Sequence, residues 1–219
     1  MTRILYSGTK NASSWAFRAW LALKEANVAF EEIVVDIRRP QRIANLAKIA
    51  AFASPGAVPV LVDDGTVIYD SLAIMEYAND LSAGKLLPKD VKLRAHARSL
   101  ASWQHAGLSS LCARLSFESS FYPDRRSLSD KEVSESKRIF GMWEQELSKS
   151  NGPYLVGDLS LADLCFVPSV LRLSSHAPSM ESWPLTQAWI GKLLVRPSVK
   201  EWLAEAHALP PVRLDDYRE

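Results

Sequence analysis

The order of residue patterns along these 219 residues predicts an α/β unit joined to an all-helical one. Three observations carry that prediction. Short β-type runs and helical periodicities alternate as β-α-β-α-β-β-α over residues 1–82. Small, basic and turn-forming residues fill 83–89, the expected linker. From 90 to 219 no strand-like alternation occurs, and the apolar residues fit helices.

Each element has a local reason. Arg3 to Tyr6 is a short apolar run suited to a buried strand, and Val28 to Ile37 is a longer one rich in β-branched side chains. Between them Trp15, Ala19, Ala22 and Ala26 recur at i, i+4, i+7 and i+11, which marks one face of a helix. A second helix is expected from about Gln41 to Phe52, opening after Pro40 and stopping before Ser54-Pro55-Gly56. Val58 to Val62 and Thr66 to Tyr69 flank Asp63-Asp64-Gly65, a hairpin with glycine supplying positive φ. Asp70 or Ser71 then caps a helix whose apolar face runs through Leu72 and Met75 to Ala78 or Asn79.

In the second half, helices are expected from about Asp90 to Phe121 with a break or bend near Gly107, and from Ser129 to Ser148. Others follow from Ser160, from Pro184 to Leu194 and from Ser198 to Ala206. Ser160-Leu-Ala-Asp163 reads as a capping box, in which the hydroxyl accepts the Asp163 N–H and the carboxylate reaches back. Pro168 interrupts the hydrogen-bond ladder of that helix.

Composition narrows the function classes. Hydrophobic residues make up 47% and charged residues 23%, so the chain has the makings of a packed core rather than of disorder. The 26 basic and 25 acidic residues leave a net charge of +1 with no basic stripe, which argues against nucleic acid as a partner. No apolar run approaches the roughly 20 residues that a bilayer demands, and the opening MTRILYSG lacks the apolar stretch of a leader. A cytoplasmic protein without membrane partners is the expectation. Cys112 and Cys165 sit in apolar helical patterns without CxxC or zinc spacing, and His96, His105, His176 and His207 are dispersed, so buried free thiols and no metal are expected.

Four motifs, spread over nearly the whole chain, point further. They are Ser13-Ser14-Trp15-Ala16-Phe17-Arg18 with the helix behind it, Gly56-Ala57-Val58-Pro59-Val60-Leu61, Tyr69-Asp70-Ser71 with Ile74 and Tyr77, and Gly157-Asp158-Leu159-Ser160-Leu161-Ala162-Asp163. Together they make the sequence resemble the cytosolic glutathione transferases, in particular serine-type classes such as zeta and tau. There a serine stands five residues before an arginine, as Ser13 stands before Arg18.

The resemblance implies a thioredoxin-like first domain, glutathione as co-substrate, a homodimer, and conjugation of the glutathione thiolate to a small electrophile. It implies a cis Val58-Pro59 bond whose valine pairs with the cysteinyl backbone, and a γ-glutamyl group held by Asp70 and Ser71. Ser13 is the implied hydroxyl donor to sulfur, with Ser14 as its alternate and Asn11 as a third candidate. Lowering a thiol pKa by two units takes about 2.7 kcal/mol. One hydrogen bond to a charged group contributes about 1.5 to 3 kcal/mol and a helix N-terminus about 0.3 to 1 kcal/mol. Together they suffice.

Trp103, His105 and Leu108, with Leu111 and Phe121, are the implied lining of the electrophile pocket. Two departures stand out: no cysteine occupies position 13 or 14, which disfavours disulfide exchange, and Ala57 stands where a basic or amide residue often precedes Val-Pro. Arg38, Arg39 or Arg42 at the start of the second helix is the candidate to hold the glycine carboxylate instead, against the alternative of a solvated basic face. The rival readings are a glutathione-dependent isomerase of the maleylacetoacetate type and a non-catalytic binding protein on the same fold.

Overall fold

A computed structural model describes residues 2–108, 111, 114–176 and 179–212. The first unit is β1 (Arg3–Gly8), α1 (Ser14–Glu25), β2 (Glu31–Val35), α2 (Arg42–Ala50), β3 (Val60–Asp63), β4 (Thr66–Tyr69) and α3 (Ser71–Leu81). The strands form one mixed sheet in the order β2-β1-β3-β4, with β2 parallel to β1 and the other pairs antiparallel. This is the thioredoxin-like βαβαββα arrangement that the sequence predicts.

Alternation along the strands places two layers. Leu5 and Leu61 are fully buried on the face covered by α1 and α3, whereas Val60, Ile49 and Ala53 form a smaller core beneath α2 on the other face. Asp64 (φ 45°) and Gly65 (φ 86°) make the hairpin turn with positive φ at both central residues, the geometry whose twist matches paired strands. The expected strand ends shorten for reasons of pairing. β2 keeps only the five residues that pair with β1, because the Val28 N–H closes the end of α1 on Leu23 O at 3.0 Å. β3 begins after Pro59, which has no N–H to give a ladder.

The second unit contains α4 (Val91–Ser102), α5 (Asp130–Lys149), α6 (Leu161–Ser175), α7 (Pro184–Leu194) and α8 (Pro197–His207). The long helix expected from Asp90 ends at Ser102. A π-type turn at Trp103–Gly107 follows it and a 3₁₀ turn occupies Glu118–Phe121, so the bend near Gly107 is a change of helix type. Among the described residues no helix is long and apolar enough to cross a membrane.

Helix α6 is buried along most of its length and carries the hub of this unit, Asp163. Its carboxylate accepts the Leu155 N–H (3.0 Å), the Trp189 indole (2.9 Å), the Ser160 N–H (2.9 Å) and the Ser160 hydroxyl (2.9 Å). Burial pushes this carboxyl pKa up, and these four donors work against that shift. The expected capping box is present: the Asp163 carboxylate reaches back to the Ser160 N–H, and the Asp163 N–H is shared between the Ser160 side chain and the Ser160 carbonyl, the latter at 3.0 Å. Pro168 lies inside α6. Cys165 is a free thiol, fully buried, and burial drives its pKa well above the usual thiol range; Cys112 lies outside the described residues.

Helix α5 opens on a complete capping box, Ser129 with Glu132, and the Arg126 guanidinium meets both oxygens of that glutamate at 2.7 and 2.6 Å. These bonds, Arg126 first, hold the Glu132 carboxyl down to about 2 from its usual value near 4.5. A depressed acid stabilises the fold above its unfolded pKa and loses that contribution as pH falls through the folded one. The stability gap between the wild type and Glu132→Gln should therefore be full at pH 6 and shrink as the pH falls from about 4.5 towards 2. Urea unfolding of both proteins across that range checks it, and a gap that stays constant would contradict the assignment.

Candidate functional site

One cavity of about 480 Å³ opens where the start of β3, the end of β4 and the first turn of α1 face the turn after α4. Its walls come from short segments that the sheet brings together: Pro55 to Pro59 before β3, Tyr69-Asp70-Ser71 between β4 and α3, Trp15 on α1, and His105. Val58-Pro59 is a cis peptide bond, as is Arg39-Pro40.

The N-terminus of α3 forms one end. Asp70 adopts φ 74° and ψ 133°, a conformation that non-glycine residues seldom hold without a compensating contact. The compensation is visible: its Oδ1 accepts the Leu72 and Ala73 N–H groups at 2.8 and 3.3 Å, and its Oδ2 lies 3.3 Å from His105 Nε2. Ser71 is 2% exposed, and its hydroxyl has no hydrogen-bond partner although the residue lines the cavity. A buried orphan hydroxyl is costly unless something else completes it.

The N-terminus of α1 presents two serines that point different ways. Ser13 is the N-cap, and its Oγ accepts the Ala16 N–H at 3.2 Å, which leaves the hydroxyl hydrogen without an acceptor among the described residues. It stands beside Gly8 and Val58: a Cβ on Gly8 would lie 2.7 Å from Ser13 Cβ and 3.0 Å from a Val58 methyl. Ser14 instead turns into the contact between the two units, where its Oγ accepts from Arg172 at 2.9 Å. The Asn11 amide is committed to the Pro210 carbonyl at 2.8 Å.

Of the side chains expected to line a second-substrate pocket, only His105 reaches this cavity. Leu108 and Leu111 are fully buried. Trp103 packs on Phe166, and Phe121 packs on Phe117 and His207. None of these four lines this cavity. Arg38 is paired with Asp36 at 2.9 Å, on the flank of α2.

Two residues of this neighbourhood escape sequence reading. Trp15 belongs to the helical apolar face by spacing, yet it is 36% exposed and forms a cavity wall, set edge-on to His105 at 5.1 Å. Arg18 is 1% exposed; its guanidinium lies 4.5 Å from the Trp15 ring and donates to Ser14 O and Cys165 O at 3.1 and 2.8 Å. A charged residue three positions from an exposed tryptophan is the signal for such a cation–π pair, but its burial depends on α6. Among the described residues no cluster of histidine, cysteine and carboxylates could hold a metal.

Comparison with known proteins now decides the family. The family model for the glutathione S-transferase N-terminal domain matches residues 12–81, and that for the C-terminal domain matches residues 116–206. Glutathione S-transferase F9 of Arabidopsis thaliana is 30% identical over 200 residues, spanning 86% of this chain and 91% of that one. The chain belongs to the glutathione S-transferase family. A probable maleylacetoacetate isomerase of Caenorhabditis elegans is also 30% identical, over 83% of each chain. A solved glutathione S-transferase-I carrying lactoylglutathione shares the fold, with a TM-score of 0.77 at 24% identity over 94% of this chain and all of that one. The relatives thus divide between transferases and isomerases, within one family.

The site of this glutathione S-transferase family member makes a steric prediction. Gly8→Ala would drive a methyl into Ser13 and Val58, so it should destabilise the protein by about 1–3 kcal/mol, the usual cost of overpacking. Denaturant titration of the variant measures this, and an unchanged midpoint would show that the Ser13 side chain is not held there.

Proposed function

We propose that this protein is a serine-type glutathione transferase that joins the glutathione sulfur to small electrophiles. The single observation that carries the reading is the buried Ser71 hydroxyl, unpartnered and facing a cavity that Val58 also lines, with the Ser13 side chain close behind that valine. A tripeptide has a group for each. The γ-glutamyl carboxylate suits Ser71 at the positive end of α3, and the ammonium suits Asp70. The cysteinyl backbone suits the free edge at Val58, where the cis proline ends the ladder.

The cysteinyl sulfur then lies towards Ser13, whose hydroxyl hydrogen is available and whose helix end favours a negative charge. The serine never ionises. It stabilises the thiolate by one hydrogen bond, so a larger share of bound thiol is reactive at neutral pH. The thiolate forms a C–S bond at the acceptor carbon, and the electron pair leaves with the displaced group or moves onto a conjugated carbonyl. Trp15 and His105 wall the side where the acceptor would approach.

A second reading has support of its own. Relatives named maleylacetoacetate isomerase recur in mouse, rat and Caenorhabditis elegans, and in such a reaction the thiolate would add to a double bond and leave again after rotation. The same Ser13 would serve both. Product analysis separates them: mass spectrometry finds a glutathione adduct after conjugation, whereas isomerisation of a cis-enedione acid returns all the glutathione.

Ser13→Ala should lower turnover roughly tenfold to a hundredfold, the value of a hydrogen bond to a charged group, while glutathione affinity stays within about twofold. Ser71→Ala should do the reverse, weakening glutathione binding roughly tenfold to a hundredfold. Calorimetric titration and steady-state rates on an activated aryl halide measure both. Turnover unchanged in Ser13→Ala would end the serine mechanism, and affinity unchanged in Ser71→Ala would move the γ-glutamyl group elsewhere.

A further inference from the structure

The loop between β1 and α1 is anchored by three consecutive residues to three distant parts of the chain. The Thr9 hydroxyl donates to Asp36 at 3.2 Å and accepts the Ile37 N–H at 3.0 Å. The Asn11 amide donates to Pro210 O. Between them Lys10, 2% exposed, has its ammonium 2.7 Å from both oxygens of Glu32 and 3.9 Å from the centre of the Trp202 ring.

Trp202, on α8 and fully buried, holds the same residue twice, because its indole N–H donates to the Lys10 carbonyl at 2.9 Å. Its ring is itself fixed by stacking on Phe17 at 4.6 Å and by the edge of Trp20 at 5.5 Å. The charges facing Lys10 are Glu32 on β2 and, at 3.6 Å, Glu205 on α8.

A buried ammonium tolerates little displacement, since a shift weakens its pairing with Glu32, a carboxylate that the Ser7 hydroxyl and the Trp20 indole also hold in place. Lys10 is joined to Ser13 by one tight turn in which the Thr9 carbonyl accepts both the Ala12 and Ser13 N–H groups at 2.9 Å. Position is therefore transmitted over three residues of chain.

We propose that Trp202 is a positioning residue for the Ser13 hydroxyl: it locks Lys10, and through it the loop, from the far end of the helical unit. This inference rests on the reading of Ser13 as the donor to the glutathione sulfur. A hydroxyl a few tenths of an ångström out of place still caps α1 but makes a poorer bond to sulfur. Trp202 acts on the state of the thiol, then, and not on the grip on the peptide.

Trp202→Phe keeps an aromatic ring but deletes the N–H, together with part of the indole's buried bulk. Glu32→Gln loosens Lys10 from the other side and serves should the first variant fail to fold. Ile139→Val, a truncation in the helical core remote from the loop, shows what lost stability alone does. The thiolate absorbance of bound glutathione is titrated against pH for each, beside turnover and glutathione affinity. Trp202→Phe and Glu32→Gln should raise the thiol midpoint and cut turnover about fivefold, with affinity within twofold and no such change in Ile139→Val. An unshifted midpoint in both folded loop variants, with Ser13→Ala shifted, overturns the inference and spares the Ser13 reading. An unshifted midpoint in Ser13→Ala itself overturns that reading and the inference with it.

Discussion

The structure turns on one shared helix. Helix α1 is buried from Ala16 to Leu23, because it packs on the sheet and α3 on one side and on α6 and α8 on the other. A helix enclosed in this way leaves no water to solvate the Arg18 guanidinium. Arg18 instead spans the boundary, taking the Ser14 carbonyl of its own helix and the Cys165 carbonyl of α6. Arg172, three residues after Ser169 on the same helix, adds a second tie by donating to the Ser14 hydroxyl. These ties hold the N-terminus of α1 against the helical unit and decide which serine faces inward.

That decision sets the electrostatics of the cavity. Two helix N-termini, those of α1 and α3, converge on it, and each favours negative charge by about 0.3 to 1 kcal/mol. Ser14 is spent on Arg172, so Ser13 is the hydroxyl left beside Val58. At the other end, the carboxylate of Asp70 caps α3 with one oxygen and meets His105 with the other. The residue that orders the helix is thus also a contact to the helical unit, which ties the shape of the cavity to the packing of the two halves.

What was legible in the sequence was local. The Asp64-Gly65 hairpin, the cap at Asp70, the start of α5 near Ser129, and the break near Gly107 follow from φ preferences and orphan N–H groups within a few residues of each feature. The cavity walls at Val58-Pro59 and Asp70-Ser71 were legible as motifs. Side-chain fates set by distant partners were not. Trp103 and Leu108 share a helical stretch with His105, and only the π-type turn and the packing on Phe166 decide that His105 alone faces the cavity. Nothing near it in the sequence marks Lys10, which Trp202, 192 residues later, closes over. Asp163 was legible as a cap, but the donors from Leu155 and Trp189 that make it a hub come from other elements.

The most direct measurement of this account is a crystal structure of the protein with glutathione bound. The sulfur is expected within hydrogen-bonding distance of Ser13 Oγ, the cysteinyl backbone paired with Val58, and the γ-glutamyl carboxylate on the Ser71 hydroxyl. A sulfur resting on Ser14, Asn11 or His105, with Ser13 still turned to the Ala16 N–H alone, would contradict it.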